Sequence, residues 1–304
     1  MRVLFCGTPR FAVPSLEAVA RAHQVVAVVT QPDRPAGRGL RLVSPPVAVR
    51  ARELGLPVLQ PERLRDVRGA LEDACPEVGV VVAYGRILPG WLLQLPPRGF
   101  VNLHPSLLPR HRGASPVQAA IRSGDPTTGV SVIRVTEELD AGDVLAQKEV
   151  PIYPDDTAGT LESRLAEEGA RLLVGVLDAM ERGDLRPTPQ DPARATYCGK
   201  LSKEAGQISW EWPAELVERH VRAMDPWPAA YTLHQGRALK VWRVRLTDGD
   251  GAPGEVLRLT PQGFVVATGR GAVEVLEVQP ASGRRMTAAE YARGYRLKAG
   301  DRLG

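Results

Sequence analysis

The apolar residues in the first half of the chain follow two patterns. Short, mostly β-branched runs that do not alternate with polar residues are typical of strands buried on both faces of a parallel sheet. Such runs occupy residues 3–6, 25–30 and 78–83, and residues 100–104 and 129–135 continue the series of strands. Between them, the spacing of apolar residues and the positions of Pro and Gly predict helices over residues 11–22, 45–54 and 115–121. This alternation predicts an α/β fold, a mostly parallel sheet with helices on both faces.

The remainder of the first domain completes this sheet. Residues 144–152 predict a strand that is antiparallel or at the sheet edge, and residues 161–180 predict one long helix. The pattern then breaks at residues 186–192, which read RPTPQDP. A Pro-rich, polar stretch of this kind is typical of a linker between domains.

Beyond the linker, the chain has the pattern of a small β domain. One helix is predicted over residues 214–224, followed by short strands over 231–234, 238–246, 254–259, 264–268 and 272–278. Glycine-containing turns separate these strands, and closely spaced strands without helices between them favour a small β-barrel. By analogy its size suits an oligonucleotide-binding type of barrel. The predicted domains are residues 1–185, a linker over 186–207, and residues 208–304.

The length of the chain agrees with two domains, and its charge is slightly positive and unevenly distributed. Single cores rarely grow beyond about 250–300 residues, and this chain has 304. The formal net charge is +4, of which residues 201–304 contribute +3. Residues 31–50 hold four arginines against one aspartate. Such an arginine-rich loop is either a solvated surface or a contact for phosphate groups.

The cysteines, the histidines and the first residues argue against several classes of protein. Cys6, Cys75 and Cys198 are widely spaced and include no Cys-x-x-Cys pair, which disfavours a disulfide framework or a zinc site. The five histidines lack the i, i+4 spacing of metal ligands. The first apolar run meets Gly7 and Pro9 too early for a secretory signal, and no run approaches the length of a membrane span. We therefore expect a protein of the reducing cytoplasm.

The candidate chemistry lies at the end of the strand predicted over residues 100–104. Side chains alternate along a strand, so Asn102 and His104 leave the same face while their neighbours enter the core. The Asn102 amide and an imidazole N–H could then hold a carbonyl oxygen that becomes negative during nucleophilic attack. Asp140, in the sequence LDAGD, has a chemical use if it reaches His104, because it would orient the ring and favour its protonated form. These residues predict acyl transfer.

Other interpretations of these residues stay open. His104 alone fits a structural histidine near a strand end, and Asp140 fits a turn residue before Gly142. Ser106 has the side chain of a covalent nucleophile but lacks the Gly-x-Ser-x-Gly elbow, which favours direct transfer without an acyl-enzyme. Gly7 follows the first strand without the further glycines of a dinucleotide-binding loop, so a simple turn is favoured there.

Several separated motifs resemble one enzyme family. Residues 102–109 read NLHPSLLP, and with Arg112-Gly113 and the LDAGD loop they resemble folate-dependent formyltransferases. Other segments resemble the branch of that family that acts on initiator tRNA. They are TQPDRPAGRG at 30–39, AYGRILP at 83–89, KLSKE at 200–204 and PWPA at 226–229. Position 105 is Pro where some relatives have Gly, which stiffens the loop without removing a reactive side chain.

The resemblance implies a reaction and a set of site residues. The formyl group of the co-substrate 10-formyltetrahydrofolate would pass to the α-amine of methionyl initiator tRNA in translation initiation. A Rossmann-like catalytic domain would act with a C-terminal tRNA-binding barrel, in a cytoplasmic enzyme that needs no metal and that we expect to be a monomer. The implied catalytic residues are Asn102, His104 and Asp140. The implied folate-binding residues are Ser106, Leu107, Leu108, Pro109, Ile87, Leu88, Gly142 and Asp143. The implied tRNA-binding residues are Arg34, Arg38 and Arg41.

Two alternatives to this function are also consistent with parts of the sequence. A folate-dependent formyltransferase that acts on a small amine, such as glycinamide ribonucleotide or a sugar nucleotide, would use the same chemistry without needing the C-terminal domain. A non-catalytic RNA-binding module would have no use for Asn102, His104 and Asp140. An assay of formyl transfer separates the three functions.

Overall fold

The computed structural model describes residues 1–36 and 41–304, with Ala36 and Arg41 described by their backbone alone. The strands are β1 (Arg2–Gly7), β2 (Gln24–Val29), β3 (Arg34–Ala36), β4 (Arg41–Val43), β5 (Val58–Leu59), β6 (Val78–Val82), β7 (Phe100–His104), β8 (Arg112–Gly113), β9 (Thr127–Arg134), β10 (Val144–Pro151), β11 (Tyr197–Cys198), β12 (Ala230–His234), β13 (Arg237–Thr247), β14 (Val256–Leu259), β15 (Phe264–Ala267), β16 (Ala272–Pro280) and β17 (Met286–Thr287). The α-helices are α1 (Val13–Ala22), α2 (Pro46–Glu53), α3 (Arg68–Asp73), α4 (Gly90–Leu93), α5 (Pro116–Ser123), α6 (Ala158–Arg182), α7 (Ala214–Met224) and α8 (Ala288–Gly294). Short 3-10 helices cover Arg10–Ala12, Leu64–Val67, Pro192–Arg194 and Glu204–Gly206.

The larger sheet has seven strands in the order β10-β9-β7-β6-β1-β2-β5. All neighbouring strands from β5 to β7 are parallel. Every residue of β1 after Arg2 is buried, because both faces of the inner strands are covered. This two-sided burial is the reason that the apolar runs do not alternate with polar residues. The prediction of an α/β fold with a mostly parallel sheet is confirmed.

The part of this sheet beyond β7 is antiparallel, and it places β9 next to β7, the strand that carries Asn102 and His104. β9 pairs antiparallel with β7, so that His104 lies opposite Ser131 and Asn102 lies opposite Ile133. β10 is antiparallel to β9 and forms the sheet edge, as the sequence predicts. A buried apolar run does not reveal its direction, which is why the sequence alone left the orientation of β9 open.

The second sheet forms the C-terminal β domain. Its strands follow the order β12-β13-β16-β15-β14, with β17 added to β16, and every pair is antiparallel. The last residues of the chain bridge its two edges, since Leu303 pairs with His234 at the end of β12 and Arg302 pairs with Glu255 just before β14. The sheet therefore closes on itself, as expected for a small barrel.

Some elements were not predicted from the sequence. β3 and β4 form a hairpin inside the arginine-rich segment that was predicted to be a loop. Its strands have three residues each, which is too short to show an alternation of apolar and polar residues. Helices α3, α4 and α8 have six, four and seven residues, which is too short for a helical period to be recognised.

The chain divides into two compact units that interleave along the sequence. One unit comprises residues 1–113, 127–151 and 162–197, and the other comprises residues 114–126, 152–161 and 198–304. Within the second unit, α5 packs against α7. None of the helices in the described part of the chain has a segment long and apolar enough to cross a membrane.

Candidate active site

The candidate active site is built around the end of β7. The pleat of this strand buries Val101 and Leu103 and sends Asn102 and His104 to the other face. Asn102 is half-buried, whereas His104 is only 4% exposed. The predicted strand and the shared face are therefore present, and the imidazole is largely removed from water.

The His104 ring has different partners at its two nitrogens. Its Nε2 lies 3.0 Å from the carbonyl oxygen of His111. A carbonyl oxygen can only accept, so Nε2 carries the proton and donates it. Its Nδ1 lies 3.6 Å from the Asp140 carboxylate oxygen Oδ2. Any proton that His104 gains or loses in chemistry therefore resides on Nδ1, facing Asp140.

The protonation of His104 is set by two opposing effects. Burial is the larger effect and lowers the pKa of His104 below its ordinary value. The negative charge of Asp140 acts in the opposite direction and raises that pKa, as does the hydrogen bond to the His111 carbonyl. The neutral ring is therefore favoured, and the Asp140 carboxylate is the group that makes protonation at Nδ1 accessible.

Asp140 connects the members of this site. Its Oδ1 accepts a hydrogen bond from the Asn102 amide at 3.3 Å, and its Oδ2 accepts one from the backbone N–H of Gly113 at 2.9 Å. Its backbone is in the left-handed region, with φ of 49°, which non-glycine residues seldom adopt. The structure thus brings together all three residues that were predicted to be catalytic, although they come from separate parts of the chain.

The loop after β7 is held by its own hydrogen bonds. The Ser106 hydroxyl is fully buried and donates to the Arg110 carbonyl at 2.6 Å. The Ser131 hydroxyl of β9 donates to the Ser106 carbonyl at 2.6 Å and accepts from the backbone N–H of Leu108 at 3.1 Å. Ser106 is therefore a structural residue of this loop by its contacts, which agrees with a reaction that needs no serine nucleophile.

The other predicted folate residues differ widely in exposure. Ile87 is 94% exposed, an unusual state for a large apolar side chain, while Leu88 packs partly against the hydrophobic core. Leu108 is buried, and Leu107 and Pro109 are half-buried. Gly142 has no room for a side chain, since a Cβ would clash with the carbonyl of Arg134. Asp143 is half-buried, and its carbonyl accepts from the N–H of Arg134 at 3.0 Å.

Two of the three predicted tRNA-binding arginines lie in strands β3 and β4. Arg34 lies in β3 and is exposed. Arg41 begins β4, and its side chain lies outside the described residues, as does all of Arg38.

Several polar residues of the site were missed by the sequence analysis. Gln190, in the predicted linker, donates from Nε2 to the carbonyls of Asp140 and Gly142 at 2.8 and 2.7 Å. Arg112 donates to Gln190 Oε1, and Gln147 donates to Ser131 Oγ at 2.8 Å. Ser131 carried a usable signal, because it is a polar residue inside an apolar strand. Gln190 carried none, because the contact joins residues 50 positions apart.

The described side chains that are close enough to share a metal ion lie elsewhere in the protein. Among the described residues, one group of side chains is close enough to share a metal ion, namely His23, Asp178 and Glu181. It includes neither His104 nor Asp140. The candidate site instead combines hydrogen-bond donors with a histidine–carboxylate pair, a combination suited to proton transfer.

Comparisons with known proteins cover the whole chain. The family model described as formyl transferase matches residues 1–177, and the one described as formyl transferase, C-terminal domain, matches residues 200–296. The chain is 49% identical to a methionyl-tRNA formyltransferase of Thermus thermophilus, over 100% of this chain and 99% of that protein. This chain belongs to the methionyl-tRNA formyltransferase family. It is also 47% identical to the family member from Moorella thermoacetica, over 100% and 99% of the two chains.

Solved structures share the fold of this formyltransferase at lower identity. The N-formyltransferase from Helicobacter canadensis, in complex with folinic acid and dTDP-3-aminofucose, has a TM-score of 0.69 at 17% identity, covering 91% of this chain and 99% of that one. HypX from Aquifex aeolicus, in complex with tetrahydrofolic acid, has a TM-score of 0.65 at 21% identity. This formyltransferase is covered to 99% in that comparison and spans 48% of HypX, about half its length. These two likenesses concern the fold alone.

Proposed function

We propose that this protein transfers the formyl group of 10-formyltetrahydrofolate to the α-amine of methionyl initiator tRNA. The observation that carries the proposal is the contact of Asp140 with both Asn102 and His104 at the end of β7. Family membership over the full length supports the same reaction, because the similar curated proteins are named for methionyl-tRNA. Such a reaction belongs to translation, so we place the enzyme in the cytoplasm and expect it to act as a monomer.

The first step is attack of the neutral amine on the formyl carbon. A carbon–nitrogen bond forms, and the formyl oxygen takes the negative charge. The Asn102 amide has a second N–H beyond the one that faces Asp140, and this N–H can donate to the oxyanion. Losing one such donor typically costs about 2.7–4 kcal/mol of transition-state stabilisation.

The second step moves one proton and breaks one bond. The attacking nitrogen must lose a proton, and the folate nitrogen must gain one as its bond to the formyl carbon breaks. Because Nε2 of His104 is bonded to a carbonyl, Nδ1 is the position that can accept this proton and return it. Asp140 stabilises the charged ring while it holds the proton, directly or through water. General acid–base catalysis of this type contributes about 100- to 10,000-fold.

We assign folate binding to the loops next to this pair. The residues proposed to bind it are Ser106, Leu107, Leu108, Pro109, Ile87, Leu88, Gly142 and Asp143. The exposure of Ile87 supports an apolar contact that forms when the ring system binds. The Ser106 side chain is already bonded within its loop, so its part is to fix that loop.

We assign tRNA binding to Arg34, Arg38 and Arg41 together with the basic C-terminal domain. Lys and Arg contacts to phosphates supply most of the sequence-independent affinity for nucleic acids. We keep the division into a catalytic region over residues 1–185, a linker over 186–207 and a barrel over 208–304 as a proposal about function, although the compact units of the structure interleave across these bounds.

The experiment that tests this function is an assay of formyl transfer from 10-formyltetrahydrofolate. Charged initiator tRNA, free methionine and an amino-sugar nucleotide are supplied separately as acceptors. We expect product from the charged tRNA at far higher kcat/KM than from either small amine. Efficient transfer to a small amine would instead support the small-amine formyltransferase, and no transfer to any acceptor would overturn the proposal. The single variants Asn102→Ala, His104→Ala and Asp140→Ala should each lose most turnover while still binding a folate analogue.

A further inference from the structure

The loop that carries Asp140 is held from behind by a residue of the predicted linker. Gln190 donates from the two hydrogens of its amide nitrogen to the carbonyls of Asp140 and Gly142, at 2.8 and 2.7 Å. Its partners lie 50 and 48 residues earlier in the chain. The segment is thus part of the candidate active site and not only a connection.

The orientation of the Gln190 amide is fixed by its other partner. Its Oε1 accepts hydrogen bonds from Arg112, at 3.2 Å from Nε and 2.9 Å from Nη2. A guanidinium can only donate and a carbonyl can only accept, so the amide cannot be reversed without losing every bond. The Arg112 residue is only 2% exposed, and a second branch of its guanidinium reaches Glu138 at 3.3 Å.

These contacts hold Asp140 from two sides. Gln190 binds the backbone of the loop, and the N–H of Gly113, next to Arg112, binds the Asp140 carboxylate at 2.9 Å. Both restraints therefore involve strand β8, since Gly113 belongs to it and Gln190 is hydrogen-bonded to the side chain of its other residue, Arg112. The restrained residue has a positive φ, a backbone state that a non-glycine residue leaves easily unless its surroundings hold it.

We propose that Gln190, held by Arg112, is a positioning residue of the reaction that keeps the Asp140 carboxylate against Asn102 and the His104 ring. Gln190 contacts neither reacting group. The inference rests on the proposed function, because it assigns Gln190 an effect on formyl transfer through Asp140.

The informative substitution is Gln190→Glu. A glutamate keeps the length of the side chain and its bonds to Arg112, but it places an oxygen against two carbonyl oxygens in place of the amide hydrogens. Gln190→Met, which removes all polar contacts at similar volume, is the second variant. The control is Gln94→Glu, the same chemical change at an exposed position after α4. Thermal unfolding of all variants identifies any that are not folded.

We expect kcat for formyl transfer to fall by up to about 100-fold in both Gln190 variants, as displacement of a catalytic group by about 1 Å can cost. The KM for tRNA should stay unchanged. The KM for folate should change far less than kcat, although Gln190 also holds the carbonyl of Gly142 in the proposed folate loop. The variant Gln94→Glu should match the wild type. The titratable groups that act on the His104 ring are Asp140, which raises its pKa, and the side chain of His111, which lowers it, while the hydrogen bond to the His111 carbonyl also raises it. Displacement of Asp140 should therefore move the His104 limb of the pH profile to lower pH.

A double-mutant cycle then tests whether Gln190 acts through Asp140. On an Asp140→Asn background, the change Gln190→Glu should cause little further loss of kcat, because the group that it positions is already impaired. Equal losses on both backgrounds, or wild-type kcat and pH profile in folded Gln190 variants, would overturn the inference. Absence of formyl transfer by the wild type would instead overturn the proposed function, so the two failures are distinguishable.

Discussion

At the residue scale, the chemistry of this site depends on which nitrogen of His104 can exchange a proton. The bond from Nε2 to the His111 carbonyl leaves Nδ1 as the reactive position, next to Asp140. The sequence predicted an imidazole N–H that would hold the oxyanion. In the observed geometry, Nε2–H is held by the His111 carbonyl and a second N–H exists only when the ring is charged, so the neutral His104 ring has no free N–H to offer the oxyanion.

The variant Asp140→Asn tests this dependence. It keeps the size of the side chain but removes the charge that faces Nδ1, so we expect kcat to fall by about 100- to 10,000-fold. Burial lowers the pKa of His104 and Asp140 raises it, so without the carboxylate the ring loses its proton at lower pH. The His104 limb of the pH–rate profile should therefore move to lower pH. The control is Asp73→Asn at an exposed site, and an unchanged profile in Asp140→Asn would contradict the role.

Part of this site could be predicted from single residues, and part could not. The period of two along a strand places Asn102 and His104 on one face, whatever the rest of the fold does. The contact with Asp140 depends on how the loop after β9 packs against the end of β7. The contact with Gln190 depends on how the segment after α6 packs against that loop. Such long-range contacts are fixed by packing and leave no local pattern in the sequence.

At the element scale, β7 is positioned by its close packing against β6. Gly79 of β6 lies opposite Phe100, and a Cβ at Gly79 would clash with the Phe100 ring. We expect Gly79→Ala to lower the free energy of unfolding by about 1–3 kcal/mol, as overpacking does, and to lower kcat by shifting β7. Gly69→Ala, which meets open space, is the control and should not destabilise the protein. Urea unfolding measures both, and a Gly79→Ala protein of wild-type stability would contradict the prediction.

The hairpin of β3 and β4 leads to a prediction about tRNA binding. If Arg38 and Arg41 bind phosphates, replacing both by Ala should weaken binding and reduce the slope of log K against log salt by about 0.7–0.9 for each phosphate that is no longer neutralised. Arg171→Ala with Arg182→Ala removes the same charge from exposed positions of α6 and should leave the slope unchanged. Filter binding over a range of salt concentrations measures the slope. Equal slopes for both double variants would contradict the proposed contact of Arg38 and Arg41 with tRNA phosphates.

Strands and long helices were predicted more successfully than short elements. The buried runs of β1, β2, β6 and β7 and the helical spacing of α6 and α7 are strong patterns because packing on the core selects apolar residues at regular positions along each element. The hairpin strands and helices α3, α4 and α8 are too short for such a pattern to be recognised. The antiparallel direction of β9 follows from its partners and not from its own residues.

At the scale of the whole molecule, no single boundary in the sequence separates the two units, because each of them consists of three separate segments of the chain. Residues 114–126 and 152–161 cluster with the C-terminal residues, although in sequence they lie among the strands of the larger sheet. Deleting the chain beyond residue 191 would therefore remove α7 and expose the side of α5 that packs on it. Substitutions are a cleaner test of the second unit than truncation.

The stability of the second unit should depend on pH through His220. Burial lowers the pKa of His220 from 6.5 to about 4, because the charged ring would be cut off from water among neighbours such as Trp212. Between these two pKa values the unfolded chain binds a proton that the folded chain does not. The free energy of unfolding should therefore fall as the pH drops from 6.5 to 4, by about 3 kcal/mol from this residue.

The variant His220→Leu isolates this contribution, because the titration of every other group is common to both proteins. Four of the five tryptophans lie beyond residue 197, so tryptophan fluorescence during urea unfolding reports mainly on the second unit. We expect the stability of the wild type relative to His220→Leu to decrease by about 3 kcal/mol between pH 7 and pH 4. A difference that does not change with pH would mean that the folded protein accommodates the charged ring as readily as the unfolded chain does.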